Sequence, residues 1–215
     1  MAGAQPPVRV EPVAGRTGPI AAMLAASFAE YPATRRLLPD PAVRRRLLRR
    51  LLAGSVRDAA RHGLALVAVD PVGTGPGTGP AVVGALLAMP PGRYPLTRRR
   101  RLGKLPAILW AAAAAPRRVP AYLRSTAARK ADLPPPDGWW YAHLLGVHPA
   151  AGHEPVATAL LRDLLARVDH TGLPCHLHTA SPAEVEFYRR FGFEVAGPAP
   201  PGPDRYVRMT RPGAG

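Results

Sequence analysis

Three histidines of the 215-residue chain are spaced for chemistry. His176 and His178, in PCHLHTA, stand two apart in an apolar strand pattern, which puts both imidazoles on one face. His143, in WWYAHLLGV, falls in a second strand pattern expected to lie alongside. Two histidines at that spacing and a third from a neighbouring strand make a three-ligand metal set. Strand histidines are also ordinary packed residues, and both readings stand at this point. A second chemical feature lies between the two strands. GVHPAAGHEPVATALLRDLL, from Gly146 to Leu165, reads as strand, short loop and helix N-terminus, an arrangement whose exposed N–H groups bind anions. In that loop Glu154 sets a negative charge beside the helix start, and Pro155 lacks an N–H.

The elements that position these residues alternate along the chain. VRVEPV predicts a short strand over Val8 to Val13, and GPIAAMLAASFAEYP predicts a helix ending before Pro32. A second helix is expected from Pro41, suited to a first turn, to a stop at Gly63. LALVAVD and AVVGALLAM read as antiparallel strands joined by the low-complexity PVGTGPGTGP, expected to form a hairpin loop. Residues 90–136 read as a helical insertion broken at Pro106, Pro116 and Pro120, the kind of segment that covers a site or completes packing. After it come the strand WWYAHLLGV, the helix of the loop above, the strand PCHLHTA and the helix PAEVEFYRRFG. Two last strands are expected near FEVAG and RYVRMT. This order predicts a mixed α/β (α+β) architecture in a single domain spanning 1–215.

Composition bounds the function. Nearly half of the residues are hydrophobic, so a filled core is expected. The net charge of +15 invites a nucleic-acid reading, especially at RRRLLRRLL and RRRR. No groove-reading or base-stacking motif accompanies it, and Leu47, Leu48, Leu51 and Leu52 form a helical stripe that leaves the arginines on a solvated face. The charge is therefore read as compositional, with acidic small molecules or an anionic cofactor left open as partners. The lone Cys175 is compatible with a reducing compartment. No apolar window has the length of a membrane span, and MAGAQPPVRVEPV lacks a signal-peptide pattern, so a cytoplasmic protein is expected.

LLGVHP, ATALL and FYRRFGFEV, in this order and spacing, resemble the GNAT acetyltransferase superfamily. LAASFAEYPATR, GWWYAHLLGV, FYRRFGF and the terminal MTRPGA are most similar to its branch of puromycin N-acetyltransferase and actinobacterial relatives. The resemblance spans nearly the whole chain. It implies a central, mostly antiparallel twisted sheet with one splayed parallel pair, flanked by helices. It also implies acetyl transfer from acetyl-CoA to the amine of a small molecule, an antibiotic or other specialised metabolite, and leaves a homodimer open.

Carried over residue by residue, the resemblance places the cofactor at Val147, Gly152, His153, Ala157 and Thr158. The family's pyrophosphate loop is Q/R-x-x-G-x-G/A, and here Gly152 stands for its glutamine or arginine, Pro155 for its first glycine and Ala157 for its last position. Only Ala157 fits. Glu184 stands where the family often has an asparagine that helps seat the cofactor. Tyr188 matches the tyrosine that protonates the departing thiolate, a task for a phenol within hydrogen-bond reach of sulfur. His143, on the strand lining the acetyl site, is the nearest titratable group to take the amine's proton. Glu30 and Tyr31 belong to the segment that approaches the acceptor. Two other readings remain: an enzyme on this scaffold that has left acetyl-CoA behind, and a non-catalytic binding protein.

Overall fold

The computed structural model describes residues 8–13, 15–70, 81–114, 116–117, 119–135, 137–197 and 206–214. Strand β1 (Arg9–Pro12) leads into helices α1 (Thr17–Ala29), α2 (Pro32–Leu37) and α3 (Pro41–His62). Strands β2 (Leu64–Asp70) and β3 (Ala81–Met89) follow, and then α4 (Arg98–Leu102), α5 (Leu105–Ala114) and α6 (Val119–Ala131). The remainder is β4 (Trp140–Val147), α7 (His153–Asp169), β5 (Cys175–Thr179), α8 (Pro182–Arg189), β6 (Glu194–Val195) and β7 (Val207–Arg211). The strands form one sheet in the order β1-β2-β3-β4-β5-β7-β6. Every neighbouring pair is antiparallel except β4 and β5, which run parallel.

The continuous apolar runs of β2 and β3 arise because both faces of the sheet are covered. Ala65, Val67, Val69, Ala85 and Leu87 pack with Ile20 and Leu24 of α1 and Val56 of α3. Leu66, Ala68, Leu86 and Ala88 point the other way, onto Val156, Leu160, Leu161 and Leu164 of α7. The spacing of those α7 residues, three and four apart, is the helical stripe that a single sheet face requires. Gly84 lets α7 approach, since a Cβ there would stand 2.5 Å from Val156.

Local signals account for the ends. Asp40 caps α3 by accepting from the N–H groups of Ala42 and Val43 at 2.8 and 2.9 Å, with Pro41 behind it, and Gly63 closes the helix. Three expectations change. Pro32 does stop α1, but it also opens the short α2. Pro106 and Pro120 each occupy the second position of a helix rather than breaking one, because an early-turn proline forfeits no helical hydrogen bond. Arg44 leaves the solvated face of α3: it is buried, donating to the carbonyls of Leu38 and Pro39 at 2.7 and 3.0 Å and pairing with Glu30 at 3.3 Å. The PVGTGPGTGP connection lies outside the described residues. Among those residues no helix is long and apolar enough to cross a membrane.

Candidate functional site

The site begins with a register fault. β3 pairs Leu87 with Leu144 but the next residue, Ala88, with Ala142, so His143 is the extra residue of β4 at that step. A bulge bends its strand and re-aims a side chain. Here His143 lies beside the rings of Tyr141 and Tyr94, at centroid distances of 5.7 and 5.3 Å, and the extra residue brings Leu144 onto that face too. The parallel pairing of β4 with β5 runs only over Trp140–Cys175, Tyr141–His176 and Ala142–Leu177. It stops where the bulge begins. From His143 to Val147 the β5-facing edge of β4 is unpaired, and the two strands splay.

Two cavities meet at this gap. The larger, with about 2480 Å³ of empty space counted out to its open mouth, lies under α3 and the 90–136 insertion and is lined by His143, Tyr141, His178 and Tyr188. The smaller, about 1170 Å³ on the same basis, is lined by Val147, Pro149 and His153 on one side and by Ala180, Ser181 and Pro182 on the other. Phe28, Tyr31, Leu145 and Glu184 border both.

At the gap His143 and Tyr188 carry opposite proton states. The Nδ1 of His143 is buried and has no hydrogen-bond partner among the described residues. Burial, and then the charges of Lys104, Arg129, Lys130 and Arg100, hold the imidazole well below its usual pKa, so it is neutral and has a lone pair to accept a proton. Tyr188 packs edge-on against Phe187 and Phe193, which keeps the ring still, while its face lines the larger cavity. Burial first and the charge of Glu184 second push the phenol far above its usual pKa, so it keeps its proton.

Tyr31 lies across the junction. Its hydroxyl donates to Glu184 at 3.1 Å and accepts from the N–H of Ala180 at 3.1 Å, and Thr179 Oγ1 also donates to Glu184. These bonds turn the Glu184 carboxylate inward, tying the end of β5 to the α1–α2 corner. Glu30, the other residue expected near the acceptor, does not line the larger cavity with His143 and Tyr188. It pairs with Arg44 and, at 3.7 Å, with Arg35, at the rim of the smaller cavity.

The three histidines do not form a metal set. His178 uses both nitrogens, Nδ1 with the Tyr141 hydroxyl at 3.0 Å and Nε2 with Asp132 at 3.1 Å. His176 bonds Thr210 through Nδ1 at 2.8 Å. Among the described residues no group of three or more histidines, cysteines or acids is placed to hold a metal ion. Spacing alone put the two imidazoles on one face but could not reveal these partners.

The residues expected at the cofactor divide. Val147, Gly152 and His153 sit at the gap, with Gly152 as the N-cap of α7 and no side chain capping that first turn. Ala157 is fully buried against the sheet and Thr158 is half-buried behind it, so neither side chain faces the gap. The loop amides of Ala150 and Ala151 are spent on His148, at 3.2 and 2.9 Å. That leaves the first-turn N–H groups at Gly152, His153 and Glu154, with none at Pro155. Glu154 carries its own counter-charge: Arg190 of the turn after α8 reaches it at 2.5 Å and lies over the Phe187 ring at 5.3 Å. Arg190 escaped the sequence reading because its partner is 36 residues away.

The sequence matches no protein-family model. Solved structures of similar shape include acetyltransferases and a condensation domain. A histone acetyltransferase HPA2 and related acetyltransferase from Corynebacterium glutamicum aligns over 96% of this chain and 97% of its own, with 22% identity and a TM-score of 0.67. The C-terminal condensation domain of Ebony, in complex with beta-alanyl-dopamine, aligns over 95% and 98% at 11% identity, with a TM-score of 0.63. A PaiA N-acetyltransferase from Thermoplasma acidophilum, in complex with coenzyme A, aligns over 95% and 98% at 12% identity, with a TM-score of 0.52. At these identities the likeness is one of fold. The chain has the GNAT fold: a mostly antiparallel seven-stranded sheet with one parallel pair that splays at the bulge, covered by helices on both faces.

Proposed function

We propose that the protein is an acetyl-CoA-dependent N-acetyltransferase acting on an amine of a small molecule, an antibiotic or other specialised metabolite. The observation that carries this is the junction of two cavities at the β4–β5 splay, with a neutral imidazole and a protonated phenol beside it. The comparison structures that are acetyltransferases, among them an N-acetyltransferase in complex with coenzyme A, support it through the shared fold.

The residues fit the cofactor in part. The open edge of β4 from His143 to Val147 offers unpaired backbone groups to an extended, amide-bearing chain, and the uncapped first turn of α7 offers N–H groups to a phosphate. Acetyl-CoA, when bound, supplies the activated acetyl group. The chain's own residues do the rest. The larger cavity admits the amine and excludes water from it. His143 takes the proton that the nitrogen loses on attack, being neutral already. Tyr188 holds the proton that the leaving sulfur needs, and its rigid packing keeps the hydroxyl in place. Tyr31 and Glu184 position the α1–α2 corner between acceptor and cofactor.

The test is thiol release from acetyl-CoA in the presence of a panel of primary amines, for the parent protein and for Tyr188→Phe. The phenylalanine ring still packs but has no proton to give, so kcat is expected to fall about 100-fold with KM for acetyl-CoA unchanged. Unchanged turnover in that variant would remove Tyr188 from the chemistry.

A further inference from the structure

The larger cavity is lopsided in charge. One wall is apolar, made by Leu47, Leu48, Leu51 and Leu52 of α3. Four cations also line it: Arg101 of α4 and Lys104 just after it, and Arg129 and Lys130 of α6. Among the described residues Glu184 is the one carboxylate that lines the space, and it is turned toward Thr179 and Tyr31.

Among the described residues no carboxylate pairs with Arg101, Lys104 or Lys130. The acid nearest to Lys104 is Asp58, and both of its oxygens are already held by Arg100, at 2.8 and 2.6 Å. Lys104 donates only to the neutral Ser55 hydroxyl, at 3.1 Å. Asp132, beside α6, is taken by His178 and by Arg208. Arg101 donates to the Leu96 carbonyl at 2.9 Å, and Arg129 lies over the Tyr206 ring at 4.4 Å. Lys130 forms no hydrogen bond or ion pair among the described residues, and its strongest charged neighbours are Arg101 and Arg129, both of its own sign. Gathering like charges at a partly dry wall costs free energy unless an anion comes to them. Burial accordingly lowers the pKa of both Lys104 and Lys130. The surplus of arginine across the chain explains cations on its surface, but not four of them turned to a leucine-lined interior.

We propose that the acceptor is an amphipathic anion: an amine on an apolar body that also carries an acidic group, a carboxylate or a phosphate, held by the wall formed by Lys104, Arg101, Arg129 and Lys130. This rests on the amine-acetylating reading of the site and narrows its substrate class. The apolar body lies against the α3 leucines, the acidic group faces α4 and α6, and the amine points to His143. A polyamine or other multiply charged cation is refused by the same wall.

Three probes on one frame test this: tyramine, which has no anionic group, L-tyrosine, with a carboxylate near the amine, and tyramine O-phosphate, with a phosphate at the far end. Binding is measured by calorimetry, with acetyl-CoA titrated into the same preparations. One anionic probe is expected to bind about ten-fold or more tighter than tyramine, the scale of one charge-assisted hydrogen bond, and which one does identifies the acidic group. Lys130→Gln should remove most of that margin by loosening the anionic probe and easing the repulsion of tyramine, Lys130→Arg should retain it, and added salt should shrink it. Tyramine binding as tightly as both anionic probes, no probe binding, or a margin unaltered in Lys104→Gln/Lys130→Gln would overturn the proposal. Acetyl-CoA binding without an anion preference sinks this inference alone, whereas an anion preference without acetyl-CoA binding sinks the acetyl-transfer reading.

Discussion

His143 shows how one residue's register sets its chemistry. An alternating strand pattern puts residues 141 and 143 on one face and 142 and 144 on the other. The bulge keeps His143 beside Tyr141 but brings Leu144 onto that face as well, and nothing in WWYAHLLGV signals it, since neither glycine nor proline marks the step. The residue type was legible and its isolation was not: the missing partner of Nδ1 and the cations around it come from other elements. Because the imidazole stays neutral well below its ordinary range, the pH–rate profile should show no step at the usual histidine value of 6.5. His143→Ala should slow transfer about 100-fold near neutrality, and the deficit should shrink as rising pH deprotonates the amine unaided. A constant deficit across pH would return His143 to a packing role.

His176 tests the same physics through stability. Burial, its largest cause, takes the folded imidazole down to about 4 from 6.5. Between those values the unfolded chain binds a proton that the folded chain refuses, so stability is full above about pH 6.5, falls as the pH drops toward 4, and levels off below it. His143 and His178 are shifted in the same direction. Thermal melts should show Tm falling across that window, with a shallower fall in His176→Gln. A parent Tm that does not fall over the window, or an equal slope in the variant, would contradict this.

At the scale of elements, most of the architecture was readable because the strands are bounded by strong punctuation and α7 carries a strict apolar stripe. Proline was misjudged, since its effect depends on whether it falls before, at or inside a helix start. In the loop before α7 Pro155 lacks an N–H and Glu154 brings a negative charge, and that charge is held by Arg190 across the surface, a contact that no local pattern encodes. Both partners are exposed, so the pair itself is worth little, about 1 kcal/mol or less. Its consequence is for the cofactor: Glu154→Gln should free Arg190 and tighten acetyl-CoA binding about three-fold to ten-fold, and the gain should vanish in an Arg190→Ala background. Pro155→Gly should add to it by returning a backbone donor, less the helix stability that glycine gives up. Calorimetry on the four proteins decides; a gain that persists without Arg190 would assign the effect to Glu154 alone.

At the scale of the whole molecule, the sheet brings two cavities together at one bulge, and the insertion at 90–136 contributes cations to the larger of them. The central claim is that this junction uses acetyl-CoA, and titrating acetyl-CoA into the parent protein by calorimetry tests it without any knowledge of the acceptor. Saturable binding of one molecule per chain is the expected result, weakened in Gly152→Pro, which removes an N–H at the α7 N-cap. No detectable heat or displacement up to millimolar acetyl-CoA, from protein shown to be folded, would contradict it and leave a GNAT-fold protein that does other work.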